Sequence, residues 1–286
     1  MDEKTISYGL GKRLLIGLKR SRSAQFGLII IFLFIVMAIF APFISPYDPL
    51  VQDISQRLKP PTIAHPLGTD QLGRDVLSRV IYGSRISLIV GFSAVFISGL
   101  IGITVGLISG FYGGKIDAII MRLADIQLSL PFILLAIAIM AVLGPGLRNI
   151  ILVLGITGWV IYARIVRSET LQIKGIDFVN AAISLGNNDL RILFKHILPN
   201  VLASAIVVAT LEMARMIIME AALSFLGLGI QPPTPSWGTM VADGRDYITN
   251  AWWLITFPGL AIMMTVLGIN LFGDWLRDSL DPKLKL

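Results

Sequence analysis

Apolar residues in this chain gather into six long runs, at residues 26–43, 86–110, 126–143, 150–166, 197–227 and 251–272. A helix crossing the hydrocarbon core of a bilayer needs roughly 17–25 mostly apolar residues, so each run is long enough to span. A transmembrane barrel would show shorter segments that alternate in polarity. The pattern therefore predicts an all-α integral membrane protein with six transmembrane helices.

The polar stretches between the runs carry their own signals. Residues 180–200 read NAAISLGNNDLRILFKHILPN, far longer than a connection requires. A short helix beginning near Ile176 closes through Ala181, Ala182 and Leu185. Gly186 is placed to end it, because glycine takes the left-handed C′ conformation without penalty. Asn188 or Asp189 caps a second helix, which runs through Leu190, Leu193, Phe194 and Ile197 into the fifth span. The stretch reads as a helix–turn–helix between spans 4 and 5, with small alanines that leave room for another protein. At 45–84, Thr69 is a candidate N-cap, Leu72, Val76 and Val80 recur every four residues, and Asp70–Arg74 and Asp75–Arg79 are i,i+4 pairs. These predict a short amphipathic helix, lying on the membrane interface, against a neighbouring subunit or in solvent. Three prolines within 232–235 exclude a regular helix there. Segment 227–250 reads as a stiff outward loop, with Trp237, Trp252 and Trp253 near the interfacial belt. Pro131 and Pro258-Gly259 mark kinks in spans 3 and 6.

Composition agrees. The 286 residues are 55% hydrophobic with a mean hydropathy of +0.79, above what a soluble domain with a polar surface reaches. The lack of cysteine excludes disulfides, thiolate metal sites and a cysteine nucleophile. His65 and His196 share no ligand spacing, so no metal site is expected. The net charge of +6 reflects basic residues at cytoplasmic edges rather than a nucleic-acid partner. Six spans put both termini on one side. Sixteen Lys and Arg fall on that side and seven on the other, with Arg215 inside a span. The excess places both termini and the 180–200 stretch in the cytoplasm. Residues 1–25 are then a cytoplasmic N-terminal segment and 26–286 a single domain. The first run has a basic approach but no clean small-x-small site at its exit, APFISPYDP, and reads as an uncleaved anchor.

Two features lie within the spans. Ser98, Gly102, Gly106, Gly110 and Gly114 recur every four residues, forming a face on which two helix backbones can approach closely. Glu212, Arg215 and Glu220 bring charge into the fifth span, where each costs roughly 2.5–3.5 kcal/mol on insertion scales unless paired or wetted. Glu212 and Arg215, three apart, share a face, and Glu220 lies off it. The set either lines an aqueous translocation path, whose mixed signs would suit a zwitterionic substrate, or forms a structural ion pair. No HExxH or GxSxG motif occurs. GFYGGKI at 110–116 lacks the glycine spacing of a phosphate loop and has Ile116 where Ser or Thr is required. No catalytic residue is expected in this chain.

The 180–200 stretch resembles the cytoplasmic loop of ABC-importer permeases, in which Glu-Ala-Ala is followed three residues on by Gly and nine residues later by Ile-x-Leu-Pro. Ala181, Ala182, Gly186, Leu198 and Pro199 match that pattern, while Asn180 stands in place of the Glu and His196 in place of the first Ile. LGTDQLGRDVLSR (67–79), MRLADIQLSLP (121–131), EAALSFLGLGIQPPTPSWGTM (220–240) and LRDSLDPKLK (276–285) extend the resemblance from about Gln25 to the end. They narrow it to the dipeptide/oligopeptide/nickel branch, and within that to the C-type dipeptide permeases. The resemblance implies a type I importer domain in a bacterial or archaeal cytoplasmic membrane. It implies a homologous second permease as heterodimer partner, two ATPase subunits gripping the loop, and an extracytoplasmic substrate-binding protein. It implies no cofactor on this chain, with ATP and Mg on the ATPase subunits. Di- or oligopeptides are the expected substrates, with a nickel or metal-chelate importer as the alternative within the branch. A proton-coupled secondary transporter using Glu212 or Glu220 is the alternative outside it.

Overall fold

The computed structural model describes residues 10–280. Lys4 and the end of the C-terminal motif, including Pro282, Lys283 and Lys285, lie outside the described residues. The chain runs through α1 (Leu10–Arg20), α2 (Arg22–Ile39), α3 (Ala41–Ile44), α4 (Val76–Tyr112), α5 (Gly114–Leu128), α6 (Phe132–Leu143) and α7 (Leu147–Thr157). It continues through α8 (Trp159–Lys174), α9 (Asp177–Ser184), α10 (Asp189–Ile192), α11 (Leu198–Phe225), α12 (Trp237–Gly244) and α13 (Trp253–Leu280).

Five helical stretches are long and apolar enough to cross a membrane: Arg22–Ile39, Val76–Tyr112, Leu147–Lys174, Asp189–Phe225 and Trp253–Leu280. A further pair, α5 and α6, is long and apolar enough only when taken together, and the two meet at a bend of 88°. The expected third span at 126–143 therefore holds only the end of α5 together with α6. Pro131 is the cause, since it has no N–H to give and drives the preceding residue out of helical geometry. Helix α13 instead carries Pro258 inside a continuous run.

Helix α4 is the central post, packing against α2, α7, α8 and α11. Its small-residue face meets α8. A Cβ on Gly102 would lie 2.4 Å from the Trp159 carbonyl oxygen, one on Gly106 2.7 Å from that of Ala163, and one on Gly110 2.7 Å from Thr170 Cβ. Ser98 stands opposite Gly158, where an added Cβ would be 2.9 Å from the Ser98 Cβ. Gly114 is a correction. It falls past the end of α4, opens α5 at φ 55°, and nothing lies within 4 Å of where its Cβ would be. The stripe ends at Gly110, and Gly114 serves the reversal of the chain. Beyond it, Arg167 pairs with Asp117 and Arg164 with Asp125, tying α8 to α5, while Lys174 Nζ donates to the Phe111 carbonyl at 2.6 Å.

The amphipathic helix expected around Thr69 does not form. Thr69 is buried within a loop, where its hydroxyl donates to the Gln56 carbonyl and accepts from Lys59 N at 2.9 Å. Asp70 Oδ1 accepts from Leu72 N at 2.8 Å and Arg74 N at 2.9 Å, closing a turn that Gly73 completes at φ 74°. The helix starts at Val76, where Asp75 caps it by accepting from Ser78 N at 2.7 Å. Asp70–Arg74 does pair, at 2.7 Å. Asp75 turns instead to His65 at 2.9 Å, and Arg79 reaches Asp70 at 3.4 Å and Asp243 at 3.7 Å. Burial pushes the Asp243 carboxyl above its ordinary range, against the pull of Arg79 and Arg74.

Segment 227–250 also departs from the outward loop. Helix α12 folds back into the bundle behind a capping box of Ser236 and Thr239. Trp237 is fully buried, with its Nε1 donating to the Val80 carbonyl at 3.0 Å and its ring 5.4 Å from Phe34, edge to face. Trp253 is buried too, donating to the Thr69 carbonyl at 3.1 Å, and Trp252 is the exposed one at 52%. A buried indole brings a large apolar area inside as long as its N–H finds an acceptor, and both do.

Substituting Gly106→Leu should hold α4 and α8 apart and cost about 3 kcal/mol in overpacking. The yield of monodisperse protein in size-exclusion chromatography should fall several-fold. Gly114→Asn, at an open left-handed position that asparagine tolerates, should stay near wild type. Equal behaviour of the two variants would refute the assignment of the contact.

Candidate translocation and coupling sites

The bend of the third crossing creates a pocket of about 230 Å³. Gln127 at the end of α5, Pro131 and Phe132 at the start of α6, Thr157 and Gly158 at the α7–α8 junction, and Arg215 from α11 line it. Gln127 fastens the junction, its amide nitrogen donating to the Thr157 carbonyl and its Oε1 accepting from Trp159 Nε1 at 2.9 Å. Arg215 Nη1 donates to the two Glu212 oxygens at 3.3 and 3.4 Å. Its guanidinium lies 4.6 Å from the centre of the Phe132 ring. Glu212 is buried, while the Arg215 side chain is 34% exposed. Two of the three charges in the fifth span thus come together, and Arg215 of the pair borders the cavity.

Glu220 does not join them. It is fully buried within this chain, with Oε1 accepting from Ser224 at 2.8 Å and Ser236 at 3.1 Å, and Oε2 accepting from Ser87 at 3.1 Å. Its place in a path wall is withdrawn. Three hydroxyls from α4, α11 and the cap of α12 close around it as a polar knot. Ser224, four residues on, was a signal in the sequence. Ser87 and Ser236 lie on other elements and left none. Gln127 and Phe132 were likewise missed, because nothing local marks them as neighbours of Arg215.

The stretch at 180–200 forms a helix–turn–helix. Helix α9 ends at Ser184, Gly186 sits at φ 75°, and Asn187 N donates back to the Ala182 carbonyl at 3.2 Å. Asn188 caps α10 by accepting from Leu190 N at 3.2 Å. A π-turn at Leu193–Ile197 leads into α11, with Leu198 N–H donating to the Leu193 carbonyl. Pro199 follows directly, lacking the N–H that an unbroken α-helix would use at that position. One side of the motif is clamped: Val179, Ile192, Leu193 and Ile197 are buried against Leu107, Phe111 and Val166. The other side is open, with Phe178, Leu185, Leu190 and Phe194 exposed, Leu185 at 82%. Asn180 and Ala181 are exposed, Ala182 is buried, and the His196 ring is half-buried, 6.2 Å from that of Phe178.

Residues 102–286 match the binding-protein-dependent transport system inner membrane component. The chain belongs to that family. It is a permease subunit of an ABC importer in the inner membrane, and ATP hydrolysis resides on a separate subunit. Membership displaces the proton-coupled alternative. Residues 9–61 match the N-terminal transmembrane domain of oligopeptide transport permease C. The di/tripeptide transport system permease protein DppC of Pseudomonas aeruginosa is 48% identical, over 93% of this chain and 89% of its own. The oligopeptide transport system permease protein OppC of Bacillus subtilis is 46% identical, over 98% and 92%. An inward-facing structure of the MetNI methionine ABC transporter shares the fold, with a TM-score of 0.58 at 21% identity, over 70% of this chain and 96% of that one.

Glu220→Leu would leave three buried hydroxyls without their acceptor, at about 1–3 kcal/mol for each that finds no substitute. Thermal unfolding of the detergent-purified protein should shift down by several degrees, while Glu220→Gln, which keeps an acceptor oxygen, should retain most of the stability. Identical melting of both variants would contradict the knot.

Proposed function

We propose that this permease imports di- or oligopeptides, with both termini and the α9–α10 turn on the cytoplasmic side. The observation that carries the reading is the helix–turn–helix, buried on one side and apolar yet exposed on the other. Four large apolar side chains stand exposed along one short segment, as is usual where another protein covers the surface. A groove on an ATPase subunit fits it. The basic excess on this side supports the cytoplasmic assignment, and the names of the relatives support the peptide class.

In this reading a homologous second permease completes the path. Two ATPase subunits bind ATP and Mg, and a binding protein delivers substrate to the face carrying residues 45–75 and 226–252. Closure of the ATPase pair pulls on the docked turns. The motion reaches the membrane because Asp189–Phe225 is one helical rod. Its near end is the docking tip, and further along it stand Glu212 and Arg215.

Gly186→Val places a β-branched residue where φ is 75° and nothing crowds the position, so the strain is confined to the backbone of the turn. The complex should still assemble, with ATPase subunits co-purifying. Peptide import into proteoliposomes should fall about tenfold, the scale of a strain of 1–2 kcal/mol at the coupling turn. Gly186→Asn should import near the wild-type rate. Wild-type import by an assembled Gly186→Val complex would defeat the coupling role.

A further inference from the structure

We infer that the pocket at the bend of the third crossing is a carboxylate way station on the translocation route, and that Arg215 there recognises the C-terminal carboxylate of a passing peptide. The inference rests on the peptide reading above. Three independent features converge on an anion.

The first is the state of Arg215. A guanidinium carries five N–H donors. Among the described residues only Nη1 meets a protein acceptor, at 3.3 and 3.4 Å from the Glu212 oxygens. Charge-assisted N–H···O bonds close to about 2.7–2.9 Å, and an optimised arginine–carboxylate pair is bidentate. This pair is slack and single-ended. Nε and Nη2 remain available on a side chain that is a third exposed and borders the cavity. The Phe132 ring, 4.6 Å from the guanidinium carbon, favours the cation while occupying none of its donors.

The second is the start of α6. Pro131 precedes it with no side-chain cap, and the first backbone bond of the turn is Leu135 N to the Pro131 carbonyl. Among the described residues, the N–H groups of Phe132, Ile133 and Leu134 meet no acceptor. The positive end of a twelve-residue helix thus opens beside the same cavity as Arg215. The third is the space itself. About 230 Å³ far exceeds the roughly 15 Å³ that admits one water, so the cavity takes a chain terminus.

Glu212 gives the station its release. A site on a transport route must bind well enough to admit and weakly enough to let go. The peptide carboxylate competes with Glu212 for Arg215, and when it leaves, Glu212 resumes the pair, so no bare guanidinium remains in the membrane. Gln127 is held by Thr157 and Trp159 and serves as part of the wall.

The test uses the whole complex in proteoliposomes, with the partner permease, both ATPase subunits and the binding protein. It compares import of dialanine with that of alanyl-alaninamide, which lacks the terminal charge. Arg215→Gln should slow dialanine about tenfold, as expected for one charge-assisted hydrogen bond, and change the amide less than about twofold. Arg215→Lys, which keeps the charge but not the planar fork, should fall between. Equal slowing of both substrates would overturn the inference and leave Arg215 as a structural partner of Glu212. Should the glutamine variant fail to assemble, the lysine variant decides by the same ratio. Where dialanine is not carried, pentaalanine and its C-terminal amide are compared in the same way, and wild-type import of none of the four compounds would overturn the peptide reading and this inference with it. Import with an unchanged acid-to-amide ratio in the variants would overturn this inference alone.

Discussion

Backbone against backbone, α4 and α8 make the contact on which the rest of the structure depends. Lipid is as apolar as leucine, so spans gain little by hiding greasy side chains from it, and close packing must supply the attraction. Gly102, Gly106 and Gly110 let the carbonyls of Trp159 and Ala163 and the side chain of Thr170 come within reach of the α4 backbone. With α8 so placed, its arginines hold Asp117 and Asp125 of α5, and α5 in turn delivers the chain to the bend. The Arg215 pocket and the anchoring of α9 and α10 on Val166 and Phe111 both follow from that placement.

At the other end of α4 the adhesive is polar. Asp70, Arg74 and Arg79 are nearly inaccessible, and half-buried Asp243 completes their group. Glu220 gathers three serines in the same way. Polar groups so buried stabilise only when their partners are in place, so each network ties separate segments into one arrangement. The loop before α4, the cap of α12 and the top of α11 are joined by groups that none of them satisfies alone.

The sequence showed clearly whatever depends on periodicity and local chemistry. Six crossings, the turn at Gly186 and the cap at Asn188 were legible because apolar length, left-handed glycine and side-chain capping are properties of short windows. The stripe was legible as far as Gly110, but its spacing ran on to Gly114 although the helix did not, since spacing carries no mark of where a helix stops. Thr69 resembled a cap because the competing turn at Asp70 and the better cap at Asp75 only show once the loop folds on itself. Trp237 and Trp253 looked interfacial because the carbonyls that accept their N–H groups, Val80 and Thr69, are 157 and 184 residues away. Glu220 was misplaced for the same reason, as two of its three donors come from distant elements.

The π-turn at Leu193–Ile197 has a geometric meaning for the whole rod. A wide turn inserts one residue beyond the ordinary winding, and one residue is about 100° of rotation around a helix. The face that α10 presents is therefore out of phase with the face that α11 would have continued. Angular aim, and not reach alone, is written into the backbone between tip and span. A chain of the same length wound as an unbroken α-helix through 189–225 would present its apolar tip in a different direction from the same bundle.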